Sequence, residues 1–253
     1  MSTKKLVFIS HITEESELAK IISEEIKSSF LGLLDTFVSS DGESLPAGGR
    51  WLDSIDEALS NSAIQISLCS PVSIKRPWIN FEAGASWIRR IPVVPLCHSG
   101  LLKSNLPIPL AMLQAADFDN EADLKVMFTG LAKVLGAEKI PPIDYTALIE
   151  KSQSFVEKYT YFNKIKEAIY AACNVDNQLN RFFFSGEIQS LPIEIQDYLF
   201  VHLAPALDVL KSLELINYVF QGTTMNGDGV FRRGNITLTN KYLTHILPVL
   251  TKS

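Results

Sequence analysis

An α/β fold with a five-stranded parallel sheet, followed by a mostly helical region, is what the apolar patterning of this chain predicts, on three observations. Through about residue 136, short apolar runs alternate with stretches of helical periodicity, the pattern of strands joined by crossover helices. Pro141-Pro142 then interrupts the pattern, and the strand–helix alternation does not return. The 253 residues, 47% hydrophobic and 20% charged, can bury a core and are enough for two domains of ordinary size. The expected division is residues 1–138 for the α/β domain and 144–253 for the helical one.

Each element has a local reason. Lys5 to Ser10 is read as the first strand, and Thr13 is placed to cap a helix whose Leu18, Ile21, Ile22 and Ile26 share a face. Leu33 to Val38 is the second strand. The turn formers from Ser39 to Gly49 make a long loop, and helical spacing resumes from Trp51 to Leu59. Ala63 to Ser70 is the third strand, with Pro71 and Pro77 bracketing the loop before a helix from Trp78 to Arg90. Ile91 to Cys97 reads as a buried strand and Leu113 to Phe118 as an edge strand. A helix from Glu121 to Leu135 stops at Gly136. Beyond the prolines, Tyr145 to Cys173 is one long helix. Pro192 to Leu215 reads as one or two helices with Pro205 as a break or first-turn residue. A hairpin, Ile216 to Gln221 and Val230 to Thr237, precedes a last helix, Leu238 to Leu250. That order of elements is winged-helix-like.

Several function classes are disfavoured at the outset. A net charge of −5 argues against nucleic-acid binding over the whole surface and leaves a local basic patch such as Arg232-Arg233 open. Cys69, Cys97 and Cys173 form no CxxC pair, so buried thiols are expected and a metal site is not. The first apolar run, Leu6 to Ile9, is too short for a signal peptide, and no stretch reaches the ~20 apolar residues that span a bilayer. A cytoplasmic protein is the expectation.

Chemistry-bearing residues gather where open α/β sheets bind ligands, beyond the carboxyl ends of the strands. They are His11, Asp41, the Gly48-Gly49-Arg50-Trp51 segment, and Trp78 with Glu82. Trp78 and Glu82 stand four apart on one helix, hence on one face. An aromatic ring beside a carboxylate excludes water and suits a cationic ligand. Each residue also has a plainer reading: Glu82 as a solvated helix position, the tryptophans as core, His11 as a loop-shaping residue. Asp41 reads equally as a turn residue beside Gly42, and Gly48-Gly49 lacks the surroundings of a phosphate loop.

Three segments carry a family resemblance. Val7-Phe8-Ile9-Ser10-His11 resembles the opening strand of TIR domains, and Val38 to Gly48 resembles their BB loop. Pro77-Trp78-Ile79-Asn80-Phe81-Glu82-Ala83-Gly84-Ala85 is similar to the bacterial segment bearing that family's catalytic glutamate. The likeness spans roughly residues 4 to 136. It implies a flavodoxin-like fold and cleavage of NAD+ with release of nicotinamide, as hydrolase or cyclase. NAD+ would be the substrate, with no cofactor and no metal. Carried over by position, it makes Glu82 catalytic, puts Trp51 near the nicotinamide, lines the pocket with Phe8, Ser10, His11 and Asp41, and matches Trp78 to the tryptophan preceding the glutamate. It further implies activation by self-association through TIR domains, residues 144–253 as the reader of a sensor, protein or nucleic-acid trigger, no membrane partner, and a role in abortive-infection defence against phage. A virulence effector, a non-catalytic TIR adaptor and a nucleoside deoxyribosyltransferase-like enzyme are the alternatives. The product, ADP-ribose or a cyclic isomer, stays open.

Overall fold

Runs of apolar and β-branched residues form the centre of the first unit. The computed structural model describes residues 4–40, 50–227 and 229–251. Five strands, β1 (Lys5–His11), β2 (Leu34–Ser40), β3 (Ser62–Cys69), β4 (Val93–Cys97) and β5 (Ala116–Asp117), lie parallel in the order β2-β1-β3-β4-β5. The chain therefore starts mid-sheet, runs to one edge and crosses back, so the strand order switches direction between β1 and β3. The expected flavodoxin-like parallel sheet is present.

Helices cover both faces because the strands are apolar on both. On one face Val7 and Ile9 of β1 meet Leu18, Ile22 and Ile26 of α1 (Ser16–Ser29) and Leu124, Phe128 and Leu131 of the later helix over 121–134. On the other, Phe8 meets Ile55, Ala58 and Leu59 of α2 (Arg50–Asn61), while Cys69 and Cys97 meet Ile79 and Ala83 of α3 (Pro77–Ile88). The helix over 121–134 is α4; Asn120 caps it by accepting from the Asp123 amide, and Gly136, at φ 72, follows its end.

Four expectations need correction in this unit. Thr13 does not cap α1, because residues 13–15 make a 3-10 turn and the helix starts at Ser16. The fifth strand shrinks from six residues to two, since 3-10 turns at Lys103–Asn105 and Leu110–Met112 use up the approach and β5 meets only Leu96 and Cys97 of β4. The fourth begins at Val93, two residues later than read. The domain limit at residue 138 also moves. The long helix α5 (Tyr145–Val175) inserts Leu148, Phe155 and Tyr159 into the first unit's core, and the compact units divide at Tyr159 and Thr160.

The second unit has its own core. Ile165, Ile169 and Ala172 from the rest of α5 join Phe182 and Phe183 of α6 (Gln178–Ser185) and Leu203, Leu207 and Leu210 of α7 (Asp197–Ser212). These cover an antiparallel sheet of β6 (Ser190–Gln196), β7 (Ile216–Asn226) and β8 (Gly229–Leu238), ordered β6-β8-β7. The expected hairpin is there as β7 and β8. Pro192 to Gln196 is strand where helix was expected, because β-branched Ile193 and Ile195 turn inward between the exposed Pro192 and Glu194, a period of two. Pro205 neither breaks α7 nor starts it. It lies on the exposed side with Val201, whose carbonyl loses its helical donor on the face open to solvent. The last helix shortens to a π turn over Tyr242–Ile246 and α8 (Leu247–Leu250).

Candidate active site

Two serines on neighbouring strands define the site. Ser10 of β1 and Ser39 of β2 are partners in register at the carboxyl ends of their strands. The two-residue alternation of a strand puts them on the same sheet face as Phe8 and Phe37, whose rings stack 5.5 Å apart one step earlier. That face is the one α2 and α3 cover.

α3 delivers the acid. Pro77 stands in its first turn, where a missing N–H costs nothing, and the helix buries Ile79, Glu82, Ala83 and Ser86, a row at i, i+3, i+4 and i+7. Glu82 therefore lies on the packed face. It is 0% exposed, which corrects the plainer reading of a solvated helix position. Its Oε2 accepts a short hydrogen bond from the Ser10 hydroxyl, and its Oε1 accepts from the Ser39 hydroxyl at 2.9 Å. Hydrogen bonds donated to both oxygens favour a carboxylate over the protonated acid and offset the cost of burying its charge. The arrangement is a fixed, water-shielded carboxyl group at the ligand-binding edge of the sheet.

The remaining candidates are placed unequally. Phe8 and Ser10 lie on the Glu82 face. His11 is buried at 2% exposure, and strand alternation turns it with Val7 and Ile9 to the opposite side. Trp78 is half-buried, its ring 5.1 Å from that of Phe81, and it lines a cavity of about 260 Å³ with Ile55, Leu59, Ala85 and the Arg89–Asp56 ion pair. Asp41 and Gly48-Gly49 lie outside the described residues. Trp51 lies in α2, with its side chain outside them. Arg232 and Arg233 are not a free basic patch: Arg232 pairs with Asp197 and rests over the Phe200 ring, and Arg233 pairs with Glu194 at 3.1 Å.

Sequence reasoning missed Ser39 as a partner of the acid, and it missed a second buried polar group. Glu15, 0% exposed, accepts from the Tyr159 hydroxyl at 3.2 Å and sits 3.3 Å from Nε2 of His98, while Ser70 bonds the same tyrosine at 3.0 Å. Ser39 carried one signal: it stands two residues after Phe37 in a strand and so shares its face. Glu15 and Tyr159, 144 positions apart, carried none. A larger cavity, about 700 Å³, lies between β4 and α4. It is lined mostly by aliphatic residues such as Val93, Ala116 and Met127, with Lys133 at its wall and Asp123 held by Lys103. Among the described residues no cluster of His, Cys, Asp or Glu is arranged to hold a metal ion, and no helix is long and apolar enough to cross a membrane.

Comparison with known proteins adds the family. The model described as TIR domain matches residues 7–128. No curated protein matches the chain. Solved structures similar to it include a metazoan TIR-STING receptor from C. gigas, 16% identical over 92% of this chain and 72% of that one, with a TM-score of 0.37. The same receptor in complex with 2′,3′-cGAMP is 14% identical over 95% of this chain and 72% of that one, TM-score 0.39. A diflavin flavoprotein A3 from Nostoc sp. is 10% identical over 66% of this chain and 99% of that one, TM-score 0.31.

Proposed function

Residues 7–128 are a TIR domain, and we propose that in this chain the domain is an enzyme that cleaves the nicotinamide–ribose bond of NAD+, with Glu82 as its catalytic carboxylate. The TIR family includes both NAD-cleaving and signalling adaptor members. One observation carries the enzymatic choice: a fully buried glutamate, clamped by two hydroxyls, at the edge of the sheet where ligands bind.

The chemistry asks little more of the protein. Nicotinamide leaves as a neutral molecule from a pyridinium, so its departure needs no proton. The ribosyl group left behind develops oxocarbenium character, as in other glycosyl transfers. A fixed carboxylate stabilises that charge best because it is already oriented and shielded from water. The same anion accepts hydrogen bonds from ribose hydroxyls and holds the sugar. Water, or a nucleophile within the substrate, then captures C1 of the ribose. NAD+ enters as substrate, and no cofactor or metal takes part in the scheme.

A second feature of α3 bears on regulation. Phe81, Trp87 and Ile88 are 59%, 58% and 78% exposed, an apolar surface on the helix that carries the acid, suited to contact between TIR domains. We assign it to self-association that raises activity. Residues 144–253 are assigned to a partner that promotes assembly. The pairing of both hairpin arginines with acids favours a protein over a nucleic acid there. The proposed setting is the cytoplasm of an infected bacterial cell, where loss of NAD+ ends phage growth.

The test is nicotinamide release by the full chain over a range of protein concentrations, beside Glu82→Gln, which keeps the shape and removes the charge. Wild type should release nicotinamide with a rate per chain that climbs with concentration, and the variant should be slower by on the order of 10³. Equal release from both chains would remove Glu82 from the mechanism, and a constant rate per chain would remove assembly.

A further inference from the structure

We infer that Ser10 and Ser39 are positioning residues for Glu82, two hydroxyls that fix both carboxylate oxygens at once and so set where the charge of the acid meets a ligand. This rests on Glu82 being the reacting carboxylate proposed above, and it concerns how the chain holds that group.

The sheet supplies the spacing. The two serines are register partners on adjacent parallel strands, so main-chain pairing fixes the distance between their Cα atoms. Both are buried, at 0% and 3% exposure, and each serves a different oxygen, Ser10 on Oε2 and Ser39 on Oε1. A glutamate turns about three side-chain bonds, and one donor would still let the carboxyl pivot about a single oxygen. Two donors rooted in a rigid sheet remove that pivot.

An ionised carboxylate offers about four lone-pair sites, and the two hydroxyls take one on each oxygen. The donors also act on ionisation. Two donated hydrogen bonds stabilise the charged form of a carboxyl more than the neutral one, so the clamp favours the anion. The titratable or charged groups on the surrounding elements include Lys5 and His11 of β1, Asp35 of β2, Asp56 and Glu57 of α2, and Arg76 and Arg89 flanking α3. Asp56 and Arg89 neutralise each other as an ion pair. β3 brings the uncharged Gln65 and Ser67 to this face. The serine pair thus donates to both oxygens of Glu82 from the sheet itself.

The experiment uses the full chain with Ser10→Ala, Ser39→Ala and Ser39→Thr, the last restoring a hydroxyl. Glu82 ionisation is followed by NMR in protein carrying 13C at the glutamate side-chain carboxyl, its resonance assigned by its loss in Glu82→Gln. The midpoint should move up by about one pH unit in each alanine variant and return in Ser39→Thr. Nicotinamide release should show its acidic limb displaced upward by a similar interval. At neutral pH kcat should fall about 10- to 100-fold, while KM stays within about a factor of three. If either alanine change unfolds the chain, cysteine at that position, close in size and a poor donor, takes its place. A midpoint unmoved in both folded variants overturns the clamp. Release that persists with its acidic limb unmoved also overturns it and leaves the enzymatic reading standing. A midpoint that moves in a chain releasing no nicotinamide supports the clamp and overturns the enzymatic reading.

Discussion

At Tyr159 one hydroxyl serves two buried partners, donating to Glu15 and sharing a hydrogen bond with Ser70. Removing it leaves a carboxyl group that is 0% exposed with one donor fewer. Tyr159→Phe should therefore lower stability by about 1–3 kcal/mol in urea unfolding of the full chain, with little change in m-value. A loss below about 0.5 kcal/mol would show that the oxygen of Glu15 is satisfied otherwise. The cysteines illustrate the opposite kind of residue. Burial pushes the thiols of Cys97 and Cys173 up to about 12 and about 11, and lifts Cys69 well above the usual range. Although Cys69 and Cys97 are register partners on β3 and β4, both are thiols at neutral pH and act as small apolar side chains. The sequence showed the free, unpaired state of these cysteines through their spacing, and it singled out Glu82 through the segment around it. What it could not show is which groups touch: Ser39 is 43 positions from the glutamate it holds, and only the crossing of strands brings them together.

Elements were legible where period and length agreed. The parallel strands, α1, α4 and α5 follow from apolar spacing within a few residues of their ends. β6 was not read, because Pro192 resembled a helix start and the two inward isoleucines are too few to establish alternation by themselves. Only pairing with β8, from Ser190 opposite Thr237 to Gln196 opposite Phe231, makes it a strand. The same sheet carries a position that tolerates no side chain. At Gly234 an added Cβ would stand 2.6 Å from the Val219 carbonyl oxygen and 2.6 Å from the Phe220 ring. The carbonyl belongs to the neighbouring strand β7, so it cannot swing aside as a side chain would. Gly234→Ala should cost about 1–3 kcal/mol, and hydrogen exchange should show β7 amides opening faster while those of β1 and β3 keep their protection. Unchanged exchange across the hairpin would mean that the strands separate there without cost.

At the scale of the whole chain, the double proline marks a change of pattern, and the compact unit runs past it. Residues 139–159 cross the prolines and return apolar side chains to the first core, so a fragment ending at 138 lacks Leu148, Phe155 and Tyr159. Burial of side chains this size is worth roughly 1.5–3 kcal/mol each. A fragment of residues 1–159 should accordingly be more stable than one of 1–138 by on the order of 5 kcal/mol, read from their urea midpoints. Equal midpoints would return the boundary to the prolines. Charge patterning could not reveal this, since the first turns of α5 look like any amphipathic helix until the face they cover is known.

That dependence also has an order in time. Synthesis adds about 5–20 residues per second, so on the ribosome α4 is complete while about 25 residues, or roughly one to five seconds, still separate it from Tyr159. During that interval the finished strands present Leu124, Phe128 and their neighbours without the aromatic cover that α5 brings. An apolar surface left open in this way is where a holdase would grip the nascent chain, until α5 arrives to cover it.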